Sequence, residues 1–319
     1  MPTRRRLDLT RRLFDMLPAR TWILTALAMA AFAGNSLLCR LALQQTQIDA
    51  ASFTAIRLVS GALVLWLVAR SAQGSRRGDG NWLSALALFA YAACFSFAYV
   101  SLPTGTGALL LFGAVQALMI GYGLWSGERL RPAQLAGLAL AFGGLAGLLL
   151  PGVSAPPLGS TLLMLAAGLS WGIYSLRGKG AGDPTQVTAR NFLRAAPLAI
   201  GLGLLMLAAQ GLSVDAAGAG YAVASGALTS GIGYAVWYSV VPALKATTAA
   251  SVQLRVPVIA ALGGIAFLGE PLTLRLVLAS IAILGGIALV VWQKRAPPGP
   301  PAALAHRRTD KSQRTKISG

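Results

Sequence analysis

The sequence predicts an all-α polytopic membrane protein with about ten transmembrane helices, arranged as two inverted five-helix repeats. Three observations lead there. Of the 319 residues, 55% are hydrophobic and only 11% charged, with a mean hydropathy of +0.66, whereas an average soluble domain carries about 25% charged residues. Apolar runs of about 18–25 residues, the length a bilayer-spanning helix requires, recur between clustered charges. The order of features in the first half of the chain also returns in the second half. A soluble fold would have too little polar surface to cover such a chain.

Taken in order, a basic cytoplasmic segment over 1–21 leads into spans at about 22–43, 51–69, 82–102, 105–125 and 133–150. Further spans follow at 158–176, 192–209, 216–241, 246–268 and 274–292. The basic N-terminus could pass for a targeting peptide, but the apolar run from Trp22 is long and many more follow, so it reads as an uncleaved first span. Connections are short and often marked by proline or glycine, as at Pro103, Pro151, Pro156, Pro157 and Pro184. The third and fourth spans nearly touch, which leaves counts of nine or eleven open. The tail over 293–319 is Pro-rich, then basic and polar, and is expected to be disordered because it has nothing to bury.

A net charge of +18 raises the question of nucleic acid, and the placement of the charge answers it. Arg4, Arg5, Arg6, Arg11, Arg12 and Arg20 precede the first span, and Lys294, Arg295, Arg307, Arg308, Lys311, Arg314 and Lys316 follow the last. Such flanks stay on the cytoplasmic face against anionic headgroups. The lipid bilayer is therefore the expected partner, and no nucleic acid is. With the N-terminus inside, Arg70, Arg76, Arg77, Arg129, Arg131, Arg177, Lys179 and Lys245 all fall in cytoplasmic loops. The opposite loops carry no Lys or Arg except Arg275 at the edge of the last span. Both termini are accordingly expected to be cytoplasmic. Cys39 and Cys94 lie within apolar runs and read as small core residues rather than a disulfide framework.

Self-comparison sharpens the picture. Gly127-Glu128, Leu130 and Gly143-Gly144 match Gly269-Glu270, Leu272 and Gly285-Gly286 at an offset of 142. Arg40 and Arg57 match Arg177 and Arg194 at an offset of 137. The repeats are expected at 22–151 and 152–292, and five spans per repeat, an odd number, turn the second copy upside down. Two like units in opposite orientation can exchange conformations around a central site, closing one side while opening the other.

At these residues the chain resembles the drug/metabolite transporter superfamily, specifically the EamA type. The likeness covers about residues 22–292. It rests on Gly34-Asn35-Ser36, Phe53-Thr54-Ala55-Ile56-Arg57, Tyr234-Ala235-Val236-Trp237, Pro257 and the two Gly-Glu motifs, in that order within a duplicated layout. The resemblance implies a ten-helix bundle whose central cavity is lined mainly by the first four helices of each half. It further implies export or exchange of amino acids or related metabolites, and a place in the bacterial inner membrane.

Arg255 stands near the middle of the ninth span, where a charge costs about 2.5–3.5 kcal/mol on insertion scales. Thr248 and Ser251 precede it by seven and four residues, so the three share a helical face that should point into the bundle. Arg255 could hold a substrate carboxylate, because guanidinium forks match carboxylates, or it could be structural beside Pro257. Tyr99, Trp171, Trp237 and Tyr238 belong to aromatic stripes that either line a cavity or pack. Asn35 and Gln116 are lone deep polar residues, open to substrate contact or to interhelical hydrogen bonding. Inversion places Arg40, Arg57 and Glu270 near the outer face and Arg177, Arg194 and Glu128 near the inner face, as candidate gate pairs or as snorkelling and capping residues.

All nine acids fall in tails, loops or span edges, which disfavours a proton-for-cation exporter and favours anionic or zwitterionic cargo. The glycine pairs, with Gly143 and Gly147 in GxxxG spacing, are expected to allow close helix packing. No Walker pattern is present, so ATP and other cofactors are not expected. An intramembrane enzyme is disfavoured: His306, the one histidine, lies in the tail and no HExxH occurs. The leading expectation is a secondary transporter of amino-acid-like metabolites, with an exchanger or importer of phosphorylated or sugar-type solutes as the alternative. A homodimer stays open.

Overall fold

The computed structural model describes residues 19–71, 78–127, 129–150, 152, 155–178, 181–244 and 246–293, and these residues are helical with short connections. The first seven passes are α1 Ala19–Gln45, α2 Ala50–Ser71, α3 Trp82–Tyr99, α4 Thr104–Trp125, α5 Pro132–Leu149, α6 Leu158–Arg177 and α7 Pro184–Gln210. The eighth pass is composite: α8 Ala216–Ala224, a π-helical segment Ser225–Ile232, and α9 Gly233–Val240. The ninth is broken into α10 Ala246–Gln253 and α11 Val256–Leu268, and α12 Leu274–Gln293 is the tenth. Among the described residues, nine stretches are long and apolar enough to cross a membrane by themselves; the eighth pass, interrupted by its π segment, is the tenth crossing.

Local chemistry explains the ends. Asp49 caps α2, its carboxylate accepting from the N–H groups of Ala51 and Ser52, both at 2.9 Å. Asp183 caps α7 through the Gln186 N–H at 2.9 Å, with Pro184 at the first turn, where a missing N–H costs nothing. Asn81 caps α3 through the Ser84 N–H at 2.8 Å. The seventh helix thus starts eight residues before the span expected from hydropathy at 192. Its first turns, with Thr185, Gln186, Thr188, Arg190, Asn191 and Arg194, are too polar to register as a span. The ninth pass breaks at Leu254–Arg255 because Pro257 cannot donate to the preceding turn and its ring crowds the carbonyl four residues back.

The exterior carries large apolar side chains all round, among them Trp125, Leu158, Phe267, Leu274 and Ile281. Exposed apolar surface on this scale suits lipid, not water. Inside, the second pass packs on the seventh, the fifth on the tenth and the fourth on the ninth. The third packs on the sixth as the eighth does on the first, and the fourth on the sixth as the ninth on the first. Exchanging each pass for the one five further along therefore maps these pairs onto one another. In the fifth–tenth pair, Gly144 faces Ala282 and Ile283, while Gly137 and Gly286 meet backbone to backbone. Gln134 also donates to the Val290 carbonyl at 3.1 Å. The expected Gly143–Gly147 spacing is not the contact: Gly143, Gly147 and Gly285 face open space. The face turned to the partner is set by Gly137 and Gly144, seven residues apart, which is two helical turns.

Candidate functional site

A cavity of about 460 Å³ lies at the centre of the bundle, within the range of small-molecule sites of roughly 300–1,000 Å³. It runs from mid-helix residues Asn35, Ser36, Tyr91 and Phe95 to Ser175, Gly178, Pro184 and Val241 at helix ends. It is therefore blind at the bundle's middle and open at the end where α1 begins. Passes one, three, four, six, seven, eight and nine contribute to the wall.

The wall is aromatic. Trp171 stacks on Tyr234 (5.4 Å between centroids, 19° between planes) and on Tyr174 (5.3 Å, 28°), and Tyr91 tilts against it at 5.0 Å. Phe32 contacts Tyr234 and Trp237. Such pairs fix ring positions beyond what burial alone supplies. Besides the tyrosine hydroxyls, the polar groups on the wall are neutral: Asn35, Ser36, Gln116, Ser175, Thr188, Thr229, Ser230 and Gln253. No charged side chain lines the cavity among the described residues.

At the blind end a hydrogen-bonded chain crosses four passes. Arg57 Nη2 donates to the Tyr91 hydroxyl at 3.1 Å, and Asn35 Nδ2 donates to the same oxygen at 3.3 Å. Asn35 Oδ1 in turn accepts from Ser225 Oγ at 2.8 Å and from Thr229 Oγ1 at 3.4 Å. The π segment brings these hydroxyls to Asn35, and Gly226 makes the approach feasible. A Cβ there would collide with the Arg57 carbonyl and the Ser60 hydroxyl. One-turn π distortions recur at functional sites.

The far end of the bundle is tied shut. Arg40 is buried and pairs with Glu270 (Nε to Oε1, 3.4 Å), while its Nη1 donates to the carbonyls of Tyr99 at 2.8 Å and Val100 at 2.9 Å. Glu270 also accepts from the Thr104 N–H with both oxygens, at 2.9 and 2.8 Å, and from Thr104 Oγ1 at 3.1 Å. A carboxylate at the first N–H of α4 is favoured by the positive end of that helix dipole. A second tie joins the first and seventh connections. The Ser213 N–H donates to Asp49 Oδ2 at 3.0 Å, the Asp49 N–H donates to the Ser213 carbonyl at 2.9 Å, and the Gln47 N–H donates to Asp215 at 3.1 Å. Burial works against the Asp49 charge, but hydrogen bonds from the Ser52 hydroxyl and from the Ser52, Ser213 and Ala51 N–H groups outweigh it. Together they hold the carboxyl below its ordinary range.

The predicted site residues separate into two groups. Asn35, Gln116, Trp171, Trp237 and Tyr238 lie on the cavity wall. Tyr99 is fully buried away from it, donating its hydroxyl to the Thr104 carbonyl at 3.2 Å. Ser251 and Arg255 are exposed and outside the wall, which the ninth pass reaches through Ala249 and Gln253 instead. The expected inward stripe is not formed: the pass is broken at Arg255, and Thr248, half-buried, is off the wall as well. Of the gate candidates, Arg40 and Glu270 meet. Arg57 turns to Tyr91, Arg177 donates to Ser84 Oγ at 3.3 Å and Asn81 Oδ1 at 3.2 Å, and Arg194 donates to the Arg190 carbonyl at 3.3 Å. Glu128 lies outside the described residues.

Sequence reasoning missed Phe32, Phe112, Thr188 and Ser230 on the wall. Phe32 and Phe112 sit one helical turn before Asn35 and Gln116, a spacing that could have found them. Thr188 lies in the polar start of α7, and Ser230 is turned inward by a π segment that no periodicity announces.

The model of the EamA-like transporter family matches residues 158–292. An uncharacterized protein of Pseudomonas aeruginosa is 60% identical over 277 residues, covering 85% of this chain and 94% of the relative. An uncharacterized transporter of Archaeoglobus fulgidus is 24% identical over 282 residues, covering 85% of this chain and 97% of its own length. A protein crystal structure shares the fold at a TM-score of 0.60 with 20% identity, over 85% of this chain and 98% of the other.

Proposed function

The chain belongs to the EamA-like transporter family, and from that premise we propose a secondary carrier that moves amino-acid-like metabolites by alternating access. The observation that supports this reading is the 460 Å³ cavity, central, open at one end and blind towards the other. Its size suits one small molecule. Its rings offer an apolar body a place to stack, and its neutral hydrogen-bonding groups orient polar ends without a strong demand for net charge. The arginine distribution of the loops makes the open end cytoplasmic, so this conformation faces inward. Arg40, Glu270 and Thr104 then form the outer latch, and the described chain offers no nucleotide-binding loop to drive the motion.

Counterflow in liposomes tests the reading. Vesicles holding purified protein and an unlabelled amino acid should accumulate the labelled form transiently, as a carrier requires. Accumulation absent for a full panel of amino acids, yet present for sugars or phosphorylated solutes, would replace the cargo class. Accumulation absent for every solute would remove the carrier reading.

A further inference from the structure

Arg57 lies two turns into α2 with 1% of its surface exposed. Neither ion pair among the described residues, Arg40–Glu270 or Arg190–Asp79, includes it. A guanidinium carries five N–H donors. Here Nη2 reaches the Tyr91 hydroxyl, whereas Nε and Nη1 are buried with no acceptor. A buried charge left in this condition opposes folding, because its hydration has been given up without replacement.

The position of the side chain suggests what it is kept for. The guanidinium carbon sits 4.8 Å from the Phe95 ring centre and 5.3 Å from that of Tyr91, and both rings form the cavity wall at its blind end. The charge is thus one aromatic ring away from the cavity. Tyr91 is the screen, and its hydroxyl is held in place by long hydrogen bonds from Arg57 and Asn35. On the cavity side of the same end, Ser230 is 1% exposed and its hydroxyl has no partner. Two passes thus carry unspent donors at this end, where the wall bears no charge of its own.

We infer that Arg57 is a reserve anion anchor: a cargo carboxylate displaces the Tyr91 hydroxyl and takes up the free N–H groups of Arg57, with Ser230 beside it and the cargo's apolar body among the rings. This rests on the cavity being the cargo site. The ligand class is a monoanionic carboxylate on a flat or compact apolar body. One guanidinium without a second cation balances one negative charge, which argues against a phosphate dianion. The carboxylate could belong to a zwitterion or to a simple organic acid.

The test uses the full chain in nanodiscs and equilibrium binding read by the fluorescence of Trp171 and Trp237. The probes are 3-phenylpropionate, its neutral isostere 3-phenylpropionamide, L-phenylalanine and phenyl phosphate. The carboxylate should bind at least tenfold more tightly than the amide. In Arg57→Gln that ratio should fall below twofold while amide affinity is unchanged. Arg57→Lys, charged but lacking the fork, should fall between, which keeps the test valid if the glutamine variant does not fold.

The inference is overturned by an undiminished preference in either variant, by equal losses for carboxylate and amide, by tighter binding of phenyl phosphate, or by a wild-type protein without preference. L-phenylalanine binding as tightly as 3-phenylpropionate identifies the zwitterion as an accepted source, and weaker binding identifies the simple acid. A preserved carboxylate preference without counterflow would refute the carrier function and leave the anchor standing. Counterflow that is indifferent to Arg57 would do the reverse.

Discussion

At the scale of single residues, two arginines exchange the roles their positions suggested. Arg255 is the one charge that interrupts the ninth apolar run, and on hydropathy alone it is the natural cargo ligand. The break before Pro257 leaves it exposed instead. Arg255→Ala should therefore keep initial uptake within about twofold of wild type, and a larger fall with unchanged protein in the membrane would return Arg255 to the site. Arg57 carried a weaker signal because it begins a span, where arginines commonly snorkel to headgroups. Its burial depends on α2 packing against the seventh and eighth passes, which a one-dimensional reading cannot see. Asn35 and Gln116 were legible because a lone amide inside a long apolar run must find a partner. Asn35 found both kinds, Tyr91 and Ser225 as neighbours and the cavity in front.

At the scale of elements, the helices follow the hydropathy of the chain except where polar or irregular turns belong to the site. The start of α7 and the π segment are such places, and both supply hydroxyls to the cavity or to Asn35. The caps are a feature the structure adds: Asp49 and Asp183 each stand immediately before the second helix of their half. For Asp49 the depressed pKa gives a sign. A carboxyl held below its ordinary value of about 3.9 stabilises the fold at pH above that value, and the contribution is lost as pH falls through the lowered one. Asp49→Ala should cost about 1–2 kcal/mol at neutral pH, the usual loss of a helix cap. The gap in melting temperature between wild type and variant should stay level from pH 7 to 5 and close below about pH 4. A gap that closes between pH 7 and 5 would place the stabilisation on another group.

At the scale of the whole molecule, the exchange symmetry of helix pairs sets the fold, and the state is set by which end is tied. The duplication was readable because Gly-Glu and arginine positions recur at fixed offsets, so the ten-pass bundle followed from the sequence. The direction in which the cavity opens did not, because it depends on Glu270 meeting Arg40 and Thr104 across 230 and 166 residues of chain. Glu270→Gln keeps the shape and removes the charge. In a protein with Cys39 and Cys94 replaced by alanine and a cysteine placed at Ser230, this change should raise labelling from the outer side at least threefold and lower it from the inner side. Labelling that is unchanged on both sides would show that Glu270 only caps α4.

The wide turn at Ser225–Ile232 has a thermodynamic corollary. Its counterpart, the third pass, is a regular α-helix over Trp82–Tyr99. In the alternating-access cycle proposed above, were the halves identical, swapping their conformations would give a state of equal energy, and the empty carrier would spend half its time facing each way. A π turn in one half alone lifts that degeneracy. Free energy summed around a closed cycle of binding and reorientation must vanish, so a bias in the empty carrier reappears as unequal affinities at the two faces unless the loaded carrier shares it. Each 1.4 kcal/mol of bias is a factor of ten. Dissociation constants measured with the carrier locked inward and locked outward should therefore differ, and restoring regular helix over this turn should bring them together.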